Sequence, residues 1–211
     1  MASQPFVPPI QGVNQEGVFT LRTIEDAQLM KMYAQGARWA VAIGGGLLRL
    51  ETARALRLLG LEVTVVALLA RLLPRQFHAQ GAAVLTRLIV AMGLQVITGA
   101  ATQAIVGHGR TRGMILKSGE TMPGELILIL GEVRSNVSLA QKAGLTVNQG
   151  VVVDHYLRTR AEEVYTAGDV AGFEGRVCGI IPAAIEQARV AEAHMAGDAP
   201  EPYRGAIPPT L

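Results

Sequence analysis

Three consecutive glycines, Gly44, Gly45 and Gly46, follow a short apolar run and precede an amphipathic segment. Residues without a side chain let a backbone turn tightly and approach a phosphate group. The free N–H groups and the dipole at the start of a helix then favour the negative charge of that group. The pattern predicts a strand–turn–helix junction that holds a diphosphate. Glycine runs also form ordinary tight turns, so the prediction depends on the strand–helix context.

Two positions depart from the usual G-x-G-x-x-G pattern of such a turn. Arg49 stands where a third glycine would let the helix pack closely on the strand. Its guanidinium either points out beside the phosphates or pushes the helix away from the sheet. Ala67 replaces the acid that bonds ribose hydroxyls at the end of the second strand, and Arg71 follows shortly after. This predicts either a preference for NADPH or a weakened site with Arg71 as a solvated surface residue.

The elements that would position this turn alternate between helices and strands. Thr23, Asp26 and Gly36 predict an N-cap, a capping box and a stop for a first helix. The run RWAVAI predicts a buried strand, residues 47–59 a helix and residues 61–67 a second strand. A further helix is predicted in FHAQGAAVLTRLIVAMG and a third strand in LQVITG.

The pattern changes after residue 100. Short alternating runs separated by GHGRTRG and KSGE predict an antiparallel meander, followed by a strand ELILIL that is buried on both faces. A short helix SLAQKAG, strand pieces VVVD and EVYTAGD, and a final helix from Ile181 to about residue 196 complete the prediction. The proline-rich start, through Gly17, is expected to be extended and exposed, and the tail to be a linker or a cut end.

The composition narrows the class of protein. The chain has 211 residues, 50% of them hydrophobic, and a formal net charge of +2. That is enough apolar material for one sizeable core or two small ones. The sequence shows no clustered basic face, no His/Cys ligand spacing and no long apolar span, which argues against nucleic-acid binding, a metal site and a membrane span. The single Cys178 and the lack of a visible targeting segment suggest a cytoplasmic protein.

Eight segments occur in an order and spacing that resemble the FAD-dependent pyridine nucleotide-disulfide oxidoreductase superfamily. They are GVFTLRTIEDA, AIGGGLLRLETARALRLLGLEVTVV, RLLPRQ, ELILILGEVRSN, GLTVNQGVVVD, LRT, VYTAGDVA and GIIPAAIEQARVAEAHMAG. The chain is most similar to the branch of nitrite reductase large subunits, rubredoxin reductases and ferredoxin reductases. The resemblance implies an α/β fold: a Rossmann-like NAD(P)-binding domain, with a parallel sheet and an antiparallel meander, and a partial FAD-binding lobe.

The resemblance also implies site residues beyond the glycine turn. Glu51 would lie near the nicotinamide of NAD(P)H, and Gly131 would line the same cleft. In the FAD lobe, Asp169 would stand next to Gly168 at the end of a buried strand, and its carboxylate would accept a hydrogen bond from the ribityl chain of the flavin. The alternative for this pair is a plain turn.

The last predicted helix has a role in such enzymes as well. Its start, at Pro182 and Ala183, would direct the helix dipole at a flavin carbonyl and stabilise the reduced anion. Two other positions differ from the family pattern, since Ser135 replaces a proline and Cys178 replaces an aromatic residue. Cys178 is either a small buried hydrophobic residue or a reactive thiol.

By resemblance, residues 16–136 form the NAD(P)H-binding domain, and residues 137–211 form the C-terminal half of an FAD-binding domain whose N-terminal half is absent. The chain thus looks like a fragment, a shortened gene product or one part of a split protein. Its expected partners are a dinucleotide, the missing FAD-domain half or a redox partner protein, and a second copy of itself. NAD(P)H is the expected cofactor, and FAD is in doubt for this chain alone.

Two main functions remain open at this stage. In the first, the chain belongs to an oxidoreductase that takes hydride from NAD(P)H onto FAD and passes electrons to a partner protein or metal centre, with the chemistry supplied by the cofactors. Consistent with this, no side chain stands out as an acid, base or nucleophile. In the second, it is a non-catalytic nucleotide-binding or interaction domain derived from such an enzyme. A third reading is a scaffold that binds no ligand.

Overall fold

The computed structural model describes residues 3–130 and 133–206 of the chain. The chain divides into two compact units: the glycine-turn unit, Pro5–Glu132, and the C-terminal unit, Met1–Gln4 with Val133–Leu211. Within the described residues, no helix is both long enough and apolar enough to cross a bilayer.

The elements follow the predicted alternation closely through the first half of the chain. In chain order they are β1 (Ser3–Pro5), β2 (Val18–Phe19), α1 (Ile24–Ala34), β3 (Trp39–Ile43), α2 (Leu47–Leu58), β4 (Glu62–Ala67), α3 (Ala79–Ala91), β5 (Gln95–Thr98), β6 (Thr102–Gly107), β7 (Thr111–Leu116), β8 (Thr121–Pro123), β9 (Leu126–Ile129), β10 (Val133–Ser135), α4 (Ser138–Lys142), β11 (Val151–Val153), β12 (Ala171–Phe173) and α5 (Ile181–Met195).

A five-stranded parallel sheet lies at the centre of the glycine-turn unit, with strand order β2-β9-β3-β4-β5. From β3 the chain runs outward through β4 to β5, and it later returns to the other side of β3 as β9. The strand order therefore reverses at β3. In open α/β sheets, ligands bind beyond the carboxyl ends of the strands at such a reversal, which places the turn after β3 where a ligand is expected.

The sheet is covered on both faces because successive residues of a strand point to opposite sides. Leu128 packs in one cluster with residues of α2 such as Leu56. The neighbouring Ile127 packs in a second cluster with Met114 of the antiparallel sheet β6-β7-β8. All four residues of β9 are buried, which confirms the strand predicted from ELILIL, and the meander is confirmed as well.

The start of α1 has the predicted capping box. The Thr23 hydroxyl accepts a hydrogen bond from the Asp26 N–H at 3.2 Å, and the Asp26 carboxylate accepts one from the Thr23 N–H at 2.9 Å. These bonds satisfy two backbone donors that a helix start leaves without intrahelical partners. The prediction of this helix start from sequence is confirmed.

The start of α3 has an unusual cap, because the Nδ1 atom of His78 accepts a hydrogen bond from the Gly81 N–H at 3.2 Å. Replacing His78 by alanine is expected to lower the free energy of unfolding by about 1 kcal/mol, since the Gly81 donor loses its acceptor. The measurement is urea unfolding followed by the fluorescence of Trp39, the single tryptophan, which lies in the same unit. His108→Ala, at an exposed turn position, is the control, and equal losses in the two variants would contradict the capping role.

The C-terminal unit contains two small sheets and a helix. β1 pairs with β10, β11 pairs with β12 in parallel, and the long helix α5 follows. Its core consists of buried residues from the strands, the loops and the helix: Val153, Leu157, Ala171, Phe173, Ala191 and Tyr203.

Two local predictions are wrong in this unit. The segment EVYTAGD forms only an isolated bridge between Tyr165 and Arg158, and β11 pairs instead with the later segment β12. Ser3 lies in the stretch predicted to be exposed, yet it is 2% exposed and belongs to β1. Both errors have one cause: whether a short segment becomes a strand depends on a partner that is distant in the chain.

Candidate functional site

The glycine turn joins the carboxyl end of β3 to the start of α2. Gly44 has φ +115°, a conformation that residues with a side chain rarely adopt, and its N–H donates to the carbonyl of Val66 at 2.7 Å. Gly46 is the N-cap of α2, and no side chain among the described residues caps the helix there. The helix start at the edge of the sheet therefore offers backbone N–H groups and a positive dipole end to an anion.

The loop after β4 covers one side of this turn. The Leu73 N–H donates to the Gly45 carbonyl at 3.1 Å, and Leu72 is fully buried. A Cβ added to Gly45 would stand 3.1 Å from the Leu72 side chain and 3.1 Å from the Cβ of Ala67. Protein atoms thus fill the space beside Gly45. Sequence reasoning missed Leu72 and Leu73, although the apolar pair directly before a proline was a visible signal.

Arg49 is half-buried and its side chain folds back over the glycine turn. A Cβ added to Gly44 would stand 2.9 Å from the Cζ atom of Arg49. A Cβ added to Gly46 would stand 2.6 Å from its Nη1 atom. Helix α2 nevertheless stays packed on the sheet, because Leu50 and Leu56 are 4% and 1% exposed in the main core. Of the two predicted outcomes, the structure therefore has the guanidinium at the turn and not a displaced helix.

The other predicted residues of this unit differ in exposure and in hydrogen bonding. Ala67 ends β4 and is 1% exposed, so no acceptor stands where an acid would bond ribose hydroxyls. Arg71 is exposed, and its Nη2 atom donates weakly to the Pro74 carbonyl at 3.4 Å. Glu51 is exposed on α2, one turn beyond the helix start. Gly131 lies outside the described residues.

Asp169 is the centre of a hydrogen-bond network in the C-terminal unit. Its Oδ2 atom accepts from the Ser3 hydroxyl at 2.7 Å, and its backbone carbonyl accepts from the Ser135 hydroxyl at 2.6 Å. Next to it, Gly168 has φ +81°, and its N–H donates to the Oε1 atom of the buried Gln187 at 2.7 Å. The network holds the carboxylate in place, and a carboxylate oxygen is a group that accepts hydrogen bonds from hydroxyls.

The prediction that Asp169 stands at the end of a buried strand is wrong, because the residue lies in a turn just before β12. Two bonds at this turn were missed in the sequence: the one that Ser3 donates to Asp169 and the one that Gln187 accepts from Gly168. They join residues 166 and 19 positions apart, respectively, and nothing in the local pattern links them. The sequence shows Ser135 only as a departure from a family proline. In the structure its hydroxyl donates to the backbone carbonyl of Asp169.

Helix α5 begins without a side-chain cap among the described residues. Its N-cap Ile180 is extended, Pro182 lies exposed in the first turn, and Ala183 is buried. No acidic residue occupies that described first turn, so the positive end of the helix dipole is not compensated there. Such a helix start can stabilise a negative charge on a nearby ligand. Pro182 does not distinguish this role from a purely structural one, because proline suits any first helical turn.

Cys178 lies four residues before Pro182, and its Sγ atom is 3.7 Å from the Ala206 carbonyl. Burial raises the pKa of the Cys178 thiol above its ordinary value, so the group is a neutral thiol at pH 7. A neutral thiol is a poor nucleophile, which favours the inert alternative over a reactive cysteine.

The sequence matches known proteins over almost its whole length. Residues 1–197 match the pyridine nucleotide-disulphide oxidoreductase family. The chain belongs to this family. Its structure resembles that of a ferredoxin reductase from Rhodopseudomonas palustris with a TM-score of 0.89 and 29% sequence identity, covering 97% of this chain and 52% of that chain. The resemblance seen in the sequence and the predicted α/β class with a parallel sheet are confirmed.

Two relatives among proteins of known function are informative. An NAD(P)H nitrite reductase of Bacillus subtilis is 34% identical over 205 residues, which are 97% of this chain and 26% of that protein. A rubredoxin-NAD(+) reductase of Alcanivorax borkumensis is 29% identical over 213 residues, which are 100% of this chain and 56% of that protein. The chain therefore spans about a quarter of the first and about half of the second. NAD(P)H and FAD are the cofactors of this family.

Proposed function

We propose that this chain is the NAD(P)H-binding part, with part of the FAD-binding part, of a flavoprotein oxidoreductase. One observation carries the proposal: the glycine turn lies at the carboxyl edge of the sheet, where the strand order reverses, in a member of a pyridine-nucleotide family. An uncapped helix start and a glycine with φ +115° fit a diphosphate at this place.

The residues divide into two groups in this proposal. Gly44, Gly45 and Gly46 with the start of α2 hold the diphosphate of NAD(P)H, and Glu51 and Gly131 belong to the nicotinamide side. In the C-terminal unit, Gly168 and Asp169 bind the ribityl chain of FAD, and the first turn of α5, at Pro182 and Ala183, stabilises negative charge on the flavin. The bond from Ser3 holds the Asp169 carboxylate in one orientation for this task.

When bound, the cofactors would supply the redox chemistry, namely hydride transfer from NAD(P)H to FAD and electron transfer onward to an acceptor. The protein binds and orients them. We propose a redox partner protein or a metal centre as the acceptor, because relatives of the chain are reductases of nitrite and rubredoxin. A polypeptide that supplies the other part of an FAD-binding domain and a second copy of the chain are further proposed partners.

A non-catalytic nucleotide-binding domain is the second candidate. It is favoured by the two departures in the nucleotide motif, Arg49 across the glycine turn and Ala67 in place of an acid. The two candidates differ in flavin binding and in electron transfer, whereas both require that the glycine turn binds a nucleotide.

The purified chain is expected to bind NADH, NADPH and ADP-ribose in calorimetric titrations, because all three carry the diphosphate. An oxidoreductase is also expected to show flavin absorbance that NADH bleaches under anaerobic conditions. A protein that binds dinucleotides but stays colourless after FAD and a polypeptide with the other part of the FAD-binding domain are added supports the second candidate. Folded protein that gives no heat with any of the three nucleotides contradicts both.

A further inference from the structure

Arg49 places a positive charge where the local electrostatics already favour an anion. It occupies the first turn of α2, at the positive end of the helix dipole, and none of the described residues of that turn is acidic. A diphosphate bound at the glycine turn would face both this guanidinium and the backbone N–H groups of the helix start, and each of these groups favours negative charge.

The guanidinium is also within reach of such a group. The Nη1 atom lies beside Gly46 and the Cζ atom beside Gly44, so the arginine side chain occupies the space that the missing side chains of these glycines would take. An arginine presents a planar fork of N–H donors that matches phosphate oxygens in pairs. The residue that removes the third glycine thus adds a phosphate-binding side chain to the same turn.

The part of the site where the ribose would bind is apolar and has no charged residue at position 67. Ala67 is buried and apolar, and it is followed by Leu68 and Leu69, which are 67% and 56% exposed. No carboxylate at position 67 selects a ribose diol or repels a 2′-phosphate. Arg71 is an exposed side chain bonded within its own loop, and exposed charges interact weakly through water.

We propose that Arg49 binds the diphosphate directly and makes this a general site for nucleoside diphosphates, in which the diphosphate is recognised and the ribose 2′ position is not. The proposal rests on the proposed nucleotide binding by the glycine turn. It goes beyond that proposed function because it names the ligand class. ADP, ADP-ribose, NADH and NADPH all bind through the diphosphate that they share.

The test uses the full chain and calorimetric titration with ADP, ADP-ribose, NADH and NADPH. Arg49→Ala is expected to weaken all four by a similar factor of about 10 to 100, the scale of one charge-assisted hydrogen-bonding group. The affinities of the parent protein for NADH and NADPH are expected to agree within about threefold. Arg71→Ala is expected to leave that ratio unchanged.

Arg54→Ala is the matched control, because Arg54 is an exposed arginine on the same helix, five residues beyond Arg49. It is expected to bind all four nucleotides as the parent protein does. Arg49→Lys keeps the charge without the fork and is expected to fall between the parent and Arg49→Ala. Thermal unfolding of each variant confirms that the proteins compared are folded.

The outcomes separate this proposal from the proposed function. If NADH binds but Arg49→Ala binds it equally or more tightly, the role of Arg49 is overturned and nucleotide binding stands. If the parent protein prefers NADH or NADPH by more than about tenfold, the lack of recognition at the 2′ position is overturned. If the parent protein binds none of the four nucleotides, the proposed function fails together with this inference.

Discussion

Replacing Gly44 by alanine is expected to abolish most nucleotide binding and to lower the free energy of unfolding by about 1–3 kcal/mol, the usual strain of a non-glycine residue in this region. The backbone at Gly44 has φ +115°, and an added Cβ would stand 2.5 Å from the Cδ atom of Arg49. The arginine must move off the turn, and the methyl group then occupies part of the space for the diphosphate. Urea unfolding followed by Trp39 fluorescence and titration with NADH measure the two effects.

Gly60→Ala separates strain from binding. Gly60 has φ +99° in the loop after α2, and no described atom beyond its two chain neighbours lies within 4 Å of an added Cβ. This variant is expected to lose comparable stability and to keep the nucleotide affinity of the parent protein. If Gly44→Ala binds NADH as tightly as Gly60→Ala does, the glycine turn is not the diphosphate site.

Replacing Leu128 by alanine is expected to destabilise the glycine-turn unit by about 2–5 kcal/mol. Leu128 is 0% exposed on β9, opposite Phe19 of β2 and Ala42 of β3, and belongs to the main core. Truncation leaves a cavity that the paired strands cannot close, because their hydrogen bonds fix the backbone on both sides. Urea unfolding followed by Trp39 fluorescence is the measurement, since Trp39 lies on the neighbouring strand.

Leu58→Ala is the control for this effect. Leu58 ends α2 with 77% exposure, so its truncation removes little buried surface and is expected to change the free energy of unfolding by less than about 0.5 kcal/mol. Similar losses in the two variants would show that β9 is not the centre of this core.

Elements with strong local signals could be predicted from the sequence. The capping box of Thr23 and Asp26, the strand–glycine–helix junction at Gly44 and the apolar strand β9 each depend on residues within a few positions of one another. Steric and hydrogen-bonding preferences act at that range, so the pattern alone is enough. The His78 cap also lies at short range, but histidine is not among the usual capping residues and was not predicted.

Contacts between distant segments could not be predicted in this way. The bond from Ser3 to Asp169 joins residues 166 positions apart, and the pairing of β11 with β12 takes the place of a strand predicted at EVYTAGD. The cover that Leu72 gives to Gly45 likewise depends on the path of a loop. None of these arises from the preferences of one segment.

The amino-acid sequence by itself determined the order of strands and helices around the glycine turn, the absence of an acid at position 67 and the family resemblance. Only the tertiary structure decided that the Arg49 side chain lies over the turn while α2 stays on the sheet, and that Asp169 is held by Ser3. Local preferences fix the backbone of an element. The direction of a long side chain and the partner of a carboxylate depend on which distant groups the packed core brings beside them.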